Sequence, residues 1–285
     1  MALIYHYTNA AALIGMLSAS KEEDAKMTMW ATHSQFLNDP SEYEYGKEVS
    51  QKILREIEEE LKIEEPQRLS SFMYDESRKQ YFKDWEHGLS RFPDSLSIAT
   101  PFVISFTRHL DYLPMWTSYG KNGNGIAIGI ERDVLNEKNN MFSVRNCHYD
   151  IEDEGFSNIR EQIKMRYEML QQTTNGADEG ETYVCQLDFI MMLNSQVAAY
   201  IKHPSYRYEG EVRCKVAKAD EIKFRESNGL VVPYVEVDIP VESIKEIVIG
   251  PTLDAERMKL SIDLLLKTRG LRQVEIKESS IPYRG

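Results

Sequence analysis

Apolar positions in this chain follow two different periods along its length. Leu3 to Tyr7 is a short apolar and aromatic run that predicts a strand, with Thr8 or Asn9 placed to cap a helix over Ala10 to Leu17. Met27 to Ala31 predicts a second strand. Asp39, Pro40 and Glu42 then read as the N-cap, the first helical position and the acidic residue of a capping box. The helix they open is amphipathic, because Val49, Ile53, Ile57 and Leu61 recur every fourth residue, while Glu58, Glu59 and Glu60 read as a solvated turn. A weaker helical pattern covers about Tyr74 to Leu89.

From Phe102 to Glu131 the pattern reads strand, short helix at Pro114 to Tyr119, turn at Asn122 to Gly125, and strand at Ile126 to Ile130. Ile159, Ile163, Tyr167 and Leu170 predict another amphipathic helix, followed by a polar, mobile loop from Thr173 to Glu181. Tyr183 to Ile201 is apolar nearly all round and predicts a central buried helix. Strands return at Glu209 to Val216, Val231 to Ile239 and Ile244 to Ile249, then a helix from Asp254 to Lys267 and a last strand near Val274 to Ile276. These elements predict an α+β protein with a mixed sheet flanked by helices.

Composition narrows the function classes. With 285 residues, 42% of them apolar, the chain can bury a substantial core. No run approaches the ~18 apolar residues that span a bilayer, and the first residues lack a signal-peptide pattern, so a cytoplasmic location without membrane partners is expected. Cys147, Cys185 and Cys214 form no CxxC pair and predict reduced packing residues. A formal net charge of −12 disfavours loose binding to nucleic-acid backbones. There is no GxSxG elbow, HExxH helix or P-loop, and no His or Asp cluster accompanies the acidic strand at metal-ligand spacing.

Every second residue shares a strand face, so Val212, Cys214 and Val216 turn to the core while Glu209, Glu211, Arg213 and Lys215 look the other way. Two carboxylates roughly 7 Å apart can address one sugar. An exposed strand solvated by its charges, with Arg213 partnering Glu211, explains the same residues. His6 lies between Tyr5 and Tyr7 at a strand end. Trp116 and Tyr119 are three apart on a helix and form either core or a stacking wall for a flat heterocycle.

Several blocks occur in fixed order: Ile4 to Thr8; Phe36 to Pro40 with Glu42; Ile104 to Thr107; Pro114 to Trp116, Tyr119, Gly120, Asn122, Gly123 and Gly125; Lys202 to Tyr208; Glu209, Glu211 and Arg213; and Ile249 to Pro251. The series resembles, over nearly the whole chain, a large bacterial family long described only as a domain of unknown function. That family is in turn distantly similar to the ADP-ribosyltransferase superfamily, in the subgroup that holds NAD with a histidine, a tyrosine and a glutamate. The resemblance implies a mainly antiparallel split sheet in a single domain over 1–285, with a helical insertion at about 41–92 and a helical segment at about 157–201. It further implies that His6 contacts the nicotinamide ribose, Tyr119 stacks on nicotinamide, and Glu211 binds the ribose 2′-hydroxyl, with Glu209 as the competing choice. Tyr7, Thr8, Asn9, Asn38, Ser105 and Trp116 are then cofactor-binding candidates, Asn9 because helix N-termini favour anions. The block around Asn38, Asp39 and Glu42 has no clear counterpart in better-understood transferases. NAD would be the substrate, without a metal, and the acceptor is left open among protein, nucleic acid, small molecule and water. Similar folds in bacteria serve as toxins or phage-defence effectors. A non-catalytic nucleotide-binding or regulatory module on the same fold is the alternative.

Overall fold

The computed structural model describes residues 2–18, 26–37, 41–74, 101–137, 142–149, 154–216, 221–227, 229–252 and 254–283. Among them the apolar runs become ten strands of one sheet: β1 (Leu3–Thr8), β2 (Met27–His33), β3 (Phe102–Thr107), β4 (Ile126–Glu131), β5 (Phe142–Asn146), β6 (Glu211–Val216), β7 (Lys223–Ser227), β8 (Leu230–Ile239), β9 (Ile244–Ile249) and β10 (Glu275–Glu278). Their order is β10-β9-β4-β1-β3-β2-β8-β7, and β6 with β5 branches from β3. β9 and β10 pair in parallel; the other pairings are antiparallel. The fold is therefore α+β, with a mixed, mostly antiparallel open sheet and flanking helices.

One face of the sheet carries the main core, where Ile4, Ile104, Ile128, Val212 and Val237 pack with Leu13 of α1 (Ala10–Met16) and with Ile262 and Leu266 of α8, the helix Ala255–Thr268. Each such side chain removed from water contributes about 1.5–3 kcal/mol. A second core joins α2 (Glu42–Glu60), α3 (Leu69–Tyr74), α6 (Glu154–Thr174) and α7 (Glu179–Met192), through Ile53, Ile57, Leu69, Tyr167 and Ile190. The short helices α4 (Leu113–Ser118) and α5 (Arg132–Glu137) lie beside β4 in sequence.

The sheet is split at β3. Its edge toward β6 is paired along its whole length, from Phe102↔Val216 to Thr107↔Glu211. The opposite edge is shared: β1 meets it only at Tyr5↔Thr107, and β2 only at Thr32↔Val103 and His33↔Phe102. Between these contacts the backbone of Ile104 to Phe106 has no strand partner on that side among the described residues. Such an edge needs other acceptors and donors for its polar groups.

Several expectations are corrected. The run Tyr183 to Ile201 is not one buried helix: α7 begins at Glu179, a π turn follows at Leu193–Val197, and a 3-10 turn closes at Ala198–Tyr200, while Val184 stays exposed. Glu58 is not solvated. It is fully buried and accepts the backbone N–H groups of Leu69 and Ser70 at 2.6 and 3.2 Å, satisfying the first turn of α3. The loop expected from Thr173 to Glu181 is a short link between α6 and α7, capped by Asp178, whose Oδ1 accepts from the Glu181 N–H at 2.9 Å. β5, β7 and α5 have no counterpart in the hydrophobic pattern. Asn38, Asp39, Pro40 and the pattern from Asp75 to Leu89 lie outside the described residues. No helix among the described residues is long and apolar enough to cross a membrane.

Candidate functional site

The gap in the sheet opens a cleft of about 500 Å3. β3 forms its floor with Val103 to Phe106, β1 and α1 one wall, and β2, β7 and β8 the other. His6, Tyr7, Thr8, Asn9, Ser105, Tyr119, Glu209 and Glu211 all line this one cavity.

His6 answers the unpaired edge of β3. Its Nδ1 lies 2.9 Å from the carbonyl oxygen of Ser105, and its ring packs edge-on against Phe106. A carbonyl only accepts, so Nδ1 must carry the proton. Burial lowers the pKa of the imidazole, against a smaller opposing contribution from the Ser105 carbonyl, and keeps the ring neutral. The neutral ring therefore has Nε2 as an acceptor for a hydroxyl donor.

Five charged side chains close one end of the cleft. Glu209 ends the 3-10 turn Pro204–Glu209 rather than lying on a strand, Glu211 opens β6, and Gly210 between them has φ +51. Their backbones are fixed from several sides. Thr107 Oγ1 donates to the Glu209 carbonyl at 2.5 Å, Glu211 N–H donates to Tyr149 Oη at 2.7 Å, and Cys147 N–H donates to the Glu211 carbonyl at 2.9 Å. Lys202 Nζ stands between the two carboxylates, 2.5 Å from Glu209 and 2.8 Å from Glu211. Arg213 grips Glu211 with Nε at 2.9 Å and Nη2 at 3.1 Å, donates to the Ala199 carbonyl at 2.6 Å, and also pairs with Glu42. Glu42 lies 3.7 Å from Lys202. Burial alone would lower the Lys202 amine, but Glu211 and Glu209 outweigh it and hold its pKa above the usual range. Among the described residues, three carboxylates against two cations give the cluster a formal charge of one negative in excess, with every member buried.

Tyr119 sits at the C-terminal end of α4, and its hydroxyl donates to Glu209 Oε1 at 2.8 Å. Burial first, then Glu209, raises its pKa and keeps the phenol protonated. Among the described residues Glu209 thus receives two donors and Glu211 three. A carboxylate offers about four lone-pair positions, so Glu209 keeps the larger free capacity.

The remaining candidates divide. Trp116 is fully buried, does not line the cleft, packs on Tyr7 with ring centres 4.6 Å apart, and donates to Asp111 at 2.9 Å, which makes it a core residue rather than a stacking wall. Tyr7 reaches the cleft, but its hydroxyl is tied to the loop after β3, donating to the His109 carbonyl at 3.1 Å. Asn9 Oδ1 accepts from the Ala12 N–H at 3.0 Å and so serves as the cap of α1. Arg213 and Glu211 are partners, yet on a buried rather than a solvated face. Lys202 and Glu42 were missed: a lone lysine after an apolar run carries no spacing signal, and Glu42 reads as a capping residue until its side chain is seen in the cluster. No group of three or more His, Cys, Asp or Glu side chains with metal-holding geometry occurs among the described residues.

Residues 115–214 match the family described as a protein of unknown function (DUF2971). The matched segment runs from Met115 to Cys214 and includes Tyr119, Lys202, Glu209, Glu211 and Arg213. No curated protein and no solved structure matches the chain.

Proposed function

We propose that the protein binds NAD in this cleft and breaks its bond between nicotinamide and ribose, passing ADP-ribose to an acceptor or to water, on an ADP-ribosyltransferase-like fold. One observation carries the reading: His6, Tyr119, Glu209 and Glu211, which lie far apart in sequence, line a single cavity at a split in the sheet.

The chemistry suits these groups. As the glycosidic bond breaks, nicotinamide leaves with the bonding electrons, positive charge grows on the ribose, and the acceptor attacks the same carbon and loses its proton. A buried cluster with one excess negative charge stabilises that charge where it develops. Neutral His6 accepts from one ribose hydroxyl through Nε2, and the Tyr119 ring supplies a flat wall for nicotinamide. The larger spare acceptor capacity makes Glu209 the carboxylate for the 2′-hydroxyl, while Glu211, with three of about four acceptor positions taken by Lys202 and Arg213, holds those cations in place.

The test is nicotinamide release from NAD by the purified protein, with NAD binding followed by calorimetry. Glu209→Gln is expected to slow release by about 10²–10³-fold with binding changed only a few-fold. Absence of both release and NAD binding in the unmodified protein would sink the proposal. Binding without release in any acceptor condition would instead favour a regulatory nucleotide-binding module, a reading helped by the engagement of Glu211 with Lys202 and Arg213.

A further inference from the structure

We propose that Arg225 anchors an anionic, phosphate-bearing group of the ligand at the end of the cleft away from Glu209 and Glu211. The proposal rests on the NAD reading for the identity of that group, which would be the dinucleotide's diphosphate.

Arg225 lies on β7, at the far side of the wall built by β2 and β8, and lines the cavity with Thr32 and Ser227. Its guanidinium lies over two rings, 5.4 Å from the centre of Trp30 and 5.6 Å from that of Tyr234. Nη2 donates to Thr32 Oγ1 at 2.9 Å. These contacts set the direction of the guanidinium plane without neutralising it.

Among the described residues no carboxylate lies within 4 Å of Arg225, whereas the other two cations lining the cleft, Lys202 and Arg213, are held by Glu42, Glu209 and Glu211. The carboxylates on its own part of the sheet are already engaged. Glu236 is bound by Lys223 at 2.7 Å, Asp238 by Lys26 at 3.1 Å and Thr28 at 2.7 Å, and Glu226 accepts the Gly229 N–H at 2.7 Å. A guanidinium has five N–H donors, and a single bond to Thr32 leaves a fork free for the paired oxygens of a phosphate. Burial lowers the pKa of Arg225, an expense of desolvation that a bound anion would offset.

Two further points favour an anionic ligand group here. A chain of net charge −12 repels anions in general, so such a group needs a local cation that no carboxylate has claimed. The two ends of the cleft are also well separated: Thr32 pairs with Val103 and Glu211 with Thr107, four residues apart on β3, or roughly 13 Å along the strand. A ligand meeting both ends carries its reactive ribose and its anionic group several bonds apart, as a dinucleotide does.

The experiment compares ADP with adenosine, which lacks only the diphosphate, by calorimetry on the full chain and on Arg225→Gln, Arg225→Lys and Thr32→Val. The unmodified protein should bind ADP at least ~10-fold more tightly than adenosine, and Arg225→Gln should remove that preference while leaving adenosine unchanged. Arg225→Lys and Thr32→Val should lose part of it, and they carry the test if Arg225→Gln does not fold. The proposal is overturned if the unmodified protein shows no preference for ADP, if the preference survives in the variants, or if adenosine binding is lost in parallel. Nicotinamide release separates the two readings. A preference that depends on Arg225 without any release upholds the anchor and removes NAD cleavage; release that is indifferent to Arg225 does the reverse.

Discussion

At the scale of single residues, burial decides protonation, and His33 shows the consequence most simply. It is buried at the end of β2, packs on Phe36 and Phe102, and its Nδ1 accepts from the Gln35 N–H at 3.4 Å, which requires a neutral ring. Burial pulls its pKa from 6.5 down to about 4. The folded pKa is below the unfolded one, so the unfolded chain takes up the proton first. Stability is therefore complete above pH 6.5, falls as the pH drops, and stops falling below about 4, a loss of roughly 3 kcal/mol from this group. His6, also lowered by burial, acts in the same direction. Urea midpoints at pH 7 and pH 5 should show the drop in the unmodified protein and a smaller one in His33→Asn, which keeps a capping acceptor without a titrating ring. An unchanged difference between the two pH values in that variant would contradict the assignment.

At the scale of elements, two glycines set where the charged cluster sits. Gly210 adopts φ +51, and a Cβ there would lie 2.5 Å from His109 Nε2. Gly210→Ala should cost about 1–2 kcal/mol from the left-handed backbone alone. It should also disturb the relative placing of Glu209 and Glu211, seen as a lower melting temperature together with slower nicotinamide release. Gly46, one turn after Glu42 on α2, lets that helix approach the Ala198 carbonyl, which a Cβ would meet at 2.2 Å. Gly46→Ala should push α2 outward and carry Glu42 away from Arg213. Elements whose own pattern is strong were legible: β1, β3, β4, β8 and β9 are apolar runs, and α2 and α8 are amphipathic. β7, with Lys223, Arg225 and Glu226 on a sheet edge, has little apolar signal, and its Arg225 went unnoticed with it. The backbone turns at Leu193–Val197 and Ala198–Tyr200 override an apolar run that by itself favours a helix. His6, Tyr119, Glu209, Glu211 and Arg213 could be picked out by order along the chain, but Lys202 could not, because it meets Glu42 from α2 and Glu209 and Glu211 from around Gly210 only in the folded chain.

At the scale of the whole molecule, the same cluster fastens the helical core to the sheet. Glu42 belongs to α2, Lys202 follows the turns after α7, and Glu211 and Arg213 belong to β6. Breaking a buried pair by removing one partner costs about 3–5 kcal/mol, since it leaves charge without compensation. Lys202→Met should lose stability of that order near pH 7. Without the amine, the buried carboxylates would have folded pKa values above their unfolded ones, so the loss should shrink as the pH is lowered and the carboxylates take up protons. Thermal unfolding of the variant between pH 4 and pH 8 checks this, and a penalty that grows toward acid would contradict it. Proteolysis should cut first in the helical core of Lys202→Met, since that layer loses its attachment while the sheet keeps its own apolar packing.

The split along β3 has a consequence for how such a protein changes over evolutionary time. An unbroken sheet commits each side chain to one face, so a ligand resting on it can be read by half of the residues. Where the strands part, residues of both parities look into the same space: Ser105 and Phe106 are neighbours on β3, and both reach the cavity. Specificity can then drift by substitutions on the floor and both walls, while the three backbone pairings that frame the opening and the packed core behind it are left unaltered.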